Sequence, residues 1–204
     1  MDPLADFKTL PHGVFSWQGY EKDVKCDLTS TALESDGELL FVDPVALTDE
    51  ALERLIAGRT PGAILLTNAN HQRDSLVLRQ RLDIPIIASA LAKTEVSADL
   101  WIEGSEEPTV RGLRAIPLPG AGVGEVAFYR LGPEPVLVIG DAVIHLPPEG
   151  LRYLPEKYCM CAAQAVASVA TLGGLPVGAI HFAHGEPLLR DAAVSLRAMI
   201  ARHG

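Results

Sequence analysis

The densest run of chemically capable side chains is Asn68-Ala69-Asn70-His71-Gln72-Arg73-Asp74, directly after the apolar stretch Ala63-Ile64-Leu65-Leu66-Thr67. Loops carried by rigid strands often hold function. A plain reading makes this segment a helix entry whose amides cap backbone groups. A functional reading makes it a polar pocket in which the Arg73 guanidinium pairs with Asp141 or receives an anionic ligand through two parallel hydrogen bonds. Asp141 follows a second apolar run, Val136 to Ile139, and Gly140. His184 sits between an apolar run and the final helical pattern, where an imidazole bonded to Asp141 needs no metal. His71 taken alone reads as a surface or loop residue, and His145 and His181 as core or rim residues. Gly120, Gly122 and Gly124 loosely resemble a phosphate cradle, but no helix follows them. Cys159-Met160-Cys161 is too tightly spaced for a usual zinc pair, which leaves two to four residues between ligands.

Strand and helix signals alternate around these residues. Val14 to Trp17, Cys26 to Glu34 and Glu38 to Val42 read as strands, the last two joined by Asp36-Gly37, a strong hairpin signal. Thr48 caps a helix to about Ala57, with Asp49 and Glu50 in its first turn and Gly58 closing it. Ala63 to Thr67, a helix over Asp74 to Leu82 and a strand over Pro85 to Ala88 continue an α/β order. Asp99 to Ile102, Val110 to Leu118, Glu125 to Leu131 and Val136 to Ile139 read as a β-meander forming a second sheet. A helix over Glu156 to Leu172, a strand over Val177 to Phe182 and a helix over Glu186 to His203 complete the pattern.

The 204 residues suit a single domain spanning 1–204. Seventeen basic and 26 acidic side chains leave a net charge of −9, which argues against nucleic acid or an anionic membrane surface as a partner. Three cysteines without a Cys-x-x-Cys pair suit reduced thiols and a cytoplasmic setting.

Five segments, in order, resemble the metallo-β-lactamase superfamily. They are Leu40-Phe41-Val42-Asp43, where the family has an apolar strand closing on Asp; Ile64-Leu65-Leu66-Thr67 with its loop, at the family's Thr-His-x-His-x-Asp-His; Pro119-Gly120-Ala121-Gly122-Val123-Gly124-Glu125, at its Pro-Gly-His segment; Val138-Ile139-Gly140-Asp141, at its Gly-Asp strand; and Phe182-Ala183-His184-Gly185, at its last Gly-His-Gly. The resemblance implies a four-layer αββα sandwich of two mixed sheets with helices outside and the pocket at the sheet edge. It also implies a metallohydrolase scaffold that holds one or two metals, usually zinc.

On that alignment Asn68 and Asn70 fall on two histidine positions, Gln72 on the aspartate, Arg73 on the following histidine and Ala121 on the third-segment histidine. Only Asp141 and His184 keep ligand types. Moving the register so that Asp74 takes the aspartate position puts Asn70, Gln72 and Ser75 on the histidines. His71 matches no ligand position in either register. Carboxamides are weak donors to zinc, and a guanidinium has no lone pair to offer. The expectation is a hydrolase homologue with a degenerate metal site and no cofactor, whose pocket binds a small polar or anionic molecule or a partner. One alternative is a hydrolase of an ester, thioester or lactone with one zinc or other divalent metal on Asp141, His184 and one more histidine, with Asp74 as base; the residues open to recruitment by a metal are His71, His145, His181 and Asp74. Another is a homodimer with a vestigial pocket.

Overall fold

A computed structural model describes residues 1–104 and 107–202. Seven strands in chain order make the first sheet: β1 (Lys8–Leu10), β2 (Val14–Glu21), β3 (Cys26–Ser35), β4 (Glu38–Val42), β5 (Pro61–Leu65), β6 (Ile86–Ser89) and β7 (Leu100–Ile102). Neighbours from β1 to β4 run antiparallel, and from β4 to β7 parallel. The second sheet contains β8 (Thr109–Val110), β9 (Leu113–Pro117), β10 (Val126–Arg130) and β11 (Val136–Ile139) as an antiparallel meander. β12 (Val143–Leu146) and β13 (Gly150–Tyr153) form a separate small hairpin, and β14 (Ala179–Phe182) joins β11 in parallel. The helices are α1 (Asp49–Ile56), α2 (Ser75–Leu82), α3 (Ala162–Ala170) and α4 (Ala192–Ala201).

Strand alternation assigns each apolar side chain to a layer. In β4, Leu39 and Phe41 pack with Leu52 and Leu55 of α1, while Leu40 and Val42 face the opposite sheet. The layer between the sheets joins Leu33, Leu65 and Ile87 to Ala115, Phe128 and Val138. The outer face of the second sheet packs Leu137, Ile139 and Phe182 against Val169 of α3 and Leu196 of α4. Each such buried side chain contributes roughly 1.5–3 kcal/mol of transfer free energy. The result is the αββα sandwich of two mixed sheets.

Several segments differ from the sequence expectation. Val110 to Leu118 is two strands, because Arg111 and Gly112 both take positive φ and turn the chain. β7 pairs with β6, so it belongs to the first sheet and not to the meander. The helix expected over Glu156 to Leu172 begins only at Ala162: the N–H groups of Met160 and Cys161 donate to the carbonyls of Ala121 and Gly120 instead. Residues 186–191 are not helical. Leu188 exchanges two backbone hydrogen bonds with Ile180, and α4 starts after Asp191. His203 lies outside the described residues.

Candidate metal centre

Asp43 follows β4, Thr67 to His71 follow β5, Asp141 follows β11 and His184 follows β14. All four strands present their C-terminal ends at one edge of the sandwich. Cys26 and Asp27 open β3, and Glu125 precedes β10. Both of these strands run antiparallel to their neighbours β4 and β11, so these residues reach the same edge.

The loop after β5 is shaped by its own amides. Asn68 Oδ1 accepts the N–H of Asn70 at 2.8 Å and starts a single 3-10 turn over Ala69–His71. That turn swings His71 inward, where only 3% of the residue remains exposed. His71 Nδ1 faces Asp43 Oδ2 at 3.0 Å and Thr67 Oγ1 at 2.8 Å. Asp43 Oδ1 accepts the backbone N–H of Thr67 at 2.8 Å, and its Oδ2 accepts the Thr67 hydroxyl. On the other side of the ring, His71 Nε2 stands 3.3 Å from Asp141 Oδ1. His184 Nε2 approaches the same oxygen at 3.2 Å, while its Nδ1 faces the Asp27 carbonyl at 3.0 Å. Among the described residues, His71, Asp141 and His184 form the one group of three with metal-ligating atoms all within 4.8 Å of one another.

Electrostatics in this cluster are dominated by opposed charges. Burial alone would lower the pKa of His71, but Asp141 and Asp43 outweigh it and raise it to about 9. Burial pushes the Asp141 carboxyl up; His71 and His184 beside it prevail and hold it well below the usual range. At Glu125 the balance falls the other way, because His71 and the hydrogen bonds from Asn68 and Ala142 are outweighed. Burial first, and Asp141 second, raise its pKa to about 8.

Residues 8–202 match the family model described as the metallo-beta-lactamase superfamily. The chain belongs to that superfamily. Solved structures agree in fold. DIM-1 metallo-beta-lactamase exposed to ceftazidime shares 13% identity, with 99% of each chain covered and a TM-score of 0.77. TMB-1 shares 14% identity over 99% of each chain with a TM-score of 0.76. A metallo-beta-lactamase from Hirschia baltica shares 15% identity over 98% of each chain with a TM-score of 0.71. No curated protein matches the sequence closely enough to count as a relative.

In this superfamily member the residues read from the sequence separate into two groups. Asn68, His71, Asp141 and His184 come together. Asn70 is exposed, and the Gln72 side chain bonds to the main chain of Ser97 at its N–H and carbonyl. Ala121 is buried and offers only its carbonyl, to Met160. Arg73 donates from Nη1 to the carbonyls of Thr29 and Asp43 at 2.7 and 2.8 Å, and from Nη2 to Ala183 at 3.3 Å. Its guanidinium ties together three main-chain segments, and its hydrogen bonds go to carbonyls rather than to Asp141. Asp74 Oδ2 accepts the N–H of Ala46.

The sequence reading of His71, taken alone, as a surface residue is corrected, while its place on the loop after β5 stands. It is enclosed, and register counting missed it because the 3-10 turn brings it to the cluster from a position between the expected ones. Asp43 and Glu125 also belong to the site. Their signal was an acid at the end of one apolar strand and at the start of another, a place where a carboxylate needs a local partner.

Proposed function

We propose that this chain is a metal-dependent hydrolase of the superfamily whose centre holds one divalent ion on His71, Asp141 and His184. One observation carries the reading: two imidazoles aim Nε2 at a single carboxylate oxygen while each Nδ1 faces an acceptor. An Nδ1 proton donated to Asp43 or to the Asp27 carbonyl leaves a lone pair on Nε2. Two such lone pairs against a carboxylate oxygen repel unless positive charge lies among them, a charge that a second proton on His71 supplies in the metal-free chain and that a bound ion would supply in its place. Carboxylate or carbonyl partners on the outer nitrogen are the usual support of metal-ligating histidines. With both Nε2 atoms at 3.3 and 3.2 Å from Asp141 Oδ1, His71, Asp141 and His184 would hold one divalent ion between them.

When bound, the ion supplies a Lewis acid for the attack of water on an ester, thioester or lactone. The chain's own residues orient and exclude. Asp43 holds the His71 proton at Nδ1, and Asp27 does the same for His184. Side-chain exposure is 4% at His71 but 12% at Asp141 and 17% at His184, so substrate approaches past His184. The metal-free alternative, a pocket for a small anion, has less support. Neither cation of the cluster is free for an anion: His71 faces Asp43 and Asp141, and Arg73 is occupied with carbonyls. No helix among the described residues is long and apolar enough to cross a membrane.

Elemental analysis of protein purified without chelator tests the proposal. The expected result is about one transition-metal ion per chain, lost in both His71→Ala and His184→Ala. Wild-type protein that arrives metal-free and takes up neither zinc nor cobalt on dialysis would sink it.

A further inference from the structure

Glu125 is the least explained buried carboxyl group in the molecule. It is 2% exposed and forms no ion pair among the described residues. Its Oε2 accepts from Asn68 Nδ2 at 2.7 Å and its Oε1 from the backbone N–H of Ala142 at 3.2 Å. The backbone makes room for it: a Cβ on Gly140 would collide with Oε1 and with Thr67 Oγ1, and one on Gly122 would press on Oε2. An apolar side chain in this niche would avoid the cost of burying a carboxyl. It would also leave one Asn68 N–H unpaired and the amide free to turn.

Asn68 has no donor to spare. Its two N–H groups go to Glu125 Oε2 and, at 3.0 Å, to Asp141 Oδ2, and its oxygen accepts from Asn70. Turning the amide over would set its oxygen against two carboxyl groups. The same bonds divide the labour of Asp141: Oδ2 belongs to Asn68, and only Oδ1 faces the two imidazoles. The geometry points to Asn68, held by Glu125, as the positioning residue that keeps Asp141 a one-oxygen ligand. This inference rests on the metal reading above. It assigns a supporting role to a carboxamide that is itself a poor ligand. The Glu125–Ala142 bond ties the same arrangement to the backbone immediately after Asp141, so the carboxylate is fixed from its side chain and from its main chain.

The test is titration of metal-free wild type, Asn68→Ala and Glu125→Gln with cobalt(II), reading affinity by competition and coordination from the visible spectrum. Asn68→Ala should weaken binding ten- to a hundredfold, the usual range for lost support of a ligand. It should also dim the visible bands, as the freed second oxygen joins the ion and raises the coordination number. Glu125→Gln should move both readouts the same way by less, because the amide cannot accept from both Asn68 and Ala142. A variant that merely loosens the fold would lower the melting temperature without changing the spectrum. Should Asn68→Ala fail to fold, Asn68→Ser and Glu125→Gln carry the same reading. Variants that bind cobalt with wild-type affinity and spectrum overturn the inference and leave the metal reading intact. A wild type that binds no cobalt overturns both.

Discussion

Two buried histidines, His71 and His181, sit at different places in the sandwich with nearly equal enclosure, 3% and 1% exposed, and opposite protonation. His71 lies where parallel strands end and acids gather, and Asp141 and Asp43 overcome burial to raise its pKa to about 9. His181 lies within β14, opposite Val138, and its Nδ1 has no hydrogen-bond partner among the described residues. Burial, with Arg130 adding to it, lowers its pKa to about 4. Burial alone therefore does not decide the charge of an imidazole here. Neighbouring carboxylates do, and only one of the two regions supplies them.

The largest effect is expected at the acid-rich edge. Arg73→Met leaves the carbonyls of Thr29, Asp43 and Ala183 without their charged donor. The expected cost is about 4 kcal/mol, since each orphaned group costs roughly 1–3 kcal/mol when enclosed. Urea unfolding at neutral pH measures it. If stability falls by less than 1 kcal/mol, and phosphate raises the melting temperature of wild type but not of Arg73→Met, Arg73 is an anion receptor and the edge is built for a different ligand.

The second prediction concerns His181 and sharpens the contrast through pH. Its folded pKa of about 4 lies below the ordinary value of 6.5. Between those values the unfolded chain binds a proton that the folded chain refuses, so stability falls as pH drops through that window. The full loss is about 3 kcal/mol, at 1.36 kcal/mol per pKa unit. His181→Leu should remove this slope while leaving stability near pH 8 within about 1 kcal/mol of wild type. In chelated protein His71 has the opposite sign: its contribution is complete below 6.5 and disappears as pH rises toward 9. Chemical denaturation of wild type and His181→Leu at pH 4.5, 6 and 7.5 decides the matter. Parallel curves would show that His181 titrates normally.

The layering of the fold was legible where one short apolar run makes one element. Glu38 to Val42 and Val136 to Ile139 coincide with β4 and β11, and Thr48 caps α1 through its hydroxyl on Ala51 N–H. The sequence misled where a distant segment outbids local propensity. Helix formers from Glu156 onward give way at Met160 and Cys161 because Ala121 and Gly120 offer carbonyls there. The same limit applied at the site. Asp141 and His184 could be placed by their motifs. His71 could not, because its arrival depends on one Asn68-capped turn and on Asp43 from another strand. Nor could Glu125 be placed, since the shape of its niche comes from Gly122 and Gly140.

The smallest effect compares two carboxylates. Asp141 accepts from Asn68 and meets both imidazoles, whereas Asp74 accepts one backbone N–H, from Ala46, and lines an apolar cavity with Trp17, Phe41 and Leu52. Asp74→Ala should therefore cost about 1 kcal/mol, the net value of one hydrogen bond, and lower the melting temperature by roughly 2–4 °C. Cobalt affinity should stay within twofold of wild type, because no bond of Asp74 reaches the cluster. Asp141→Ala in the same assay should abolish stoichiometric binding. A tenfold loss of turnover or of metal affinity in Asp74→Ala, at unchanged melting temperature, would give Asp74 a part in the chemistry. The four strand ends at that edge would then not contain the whole site.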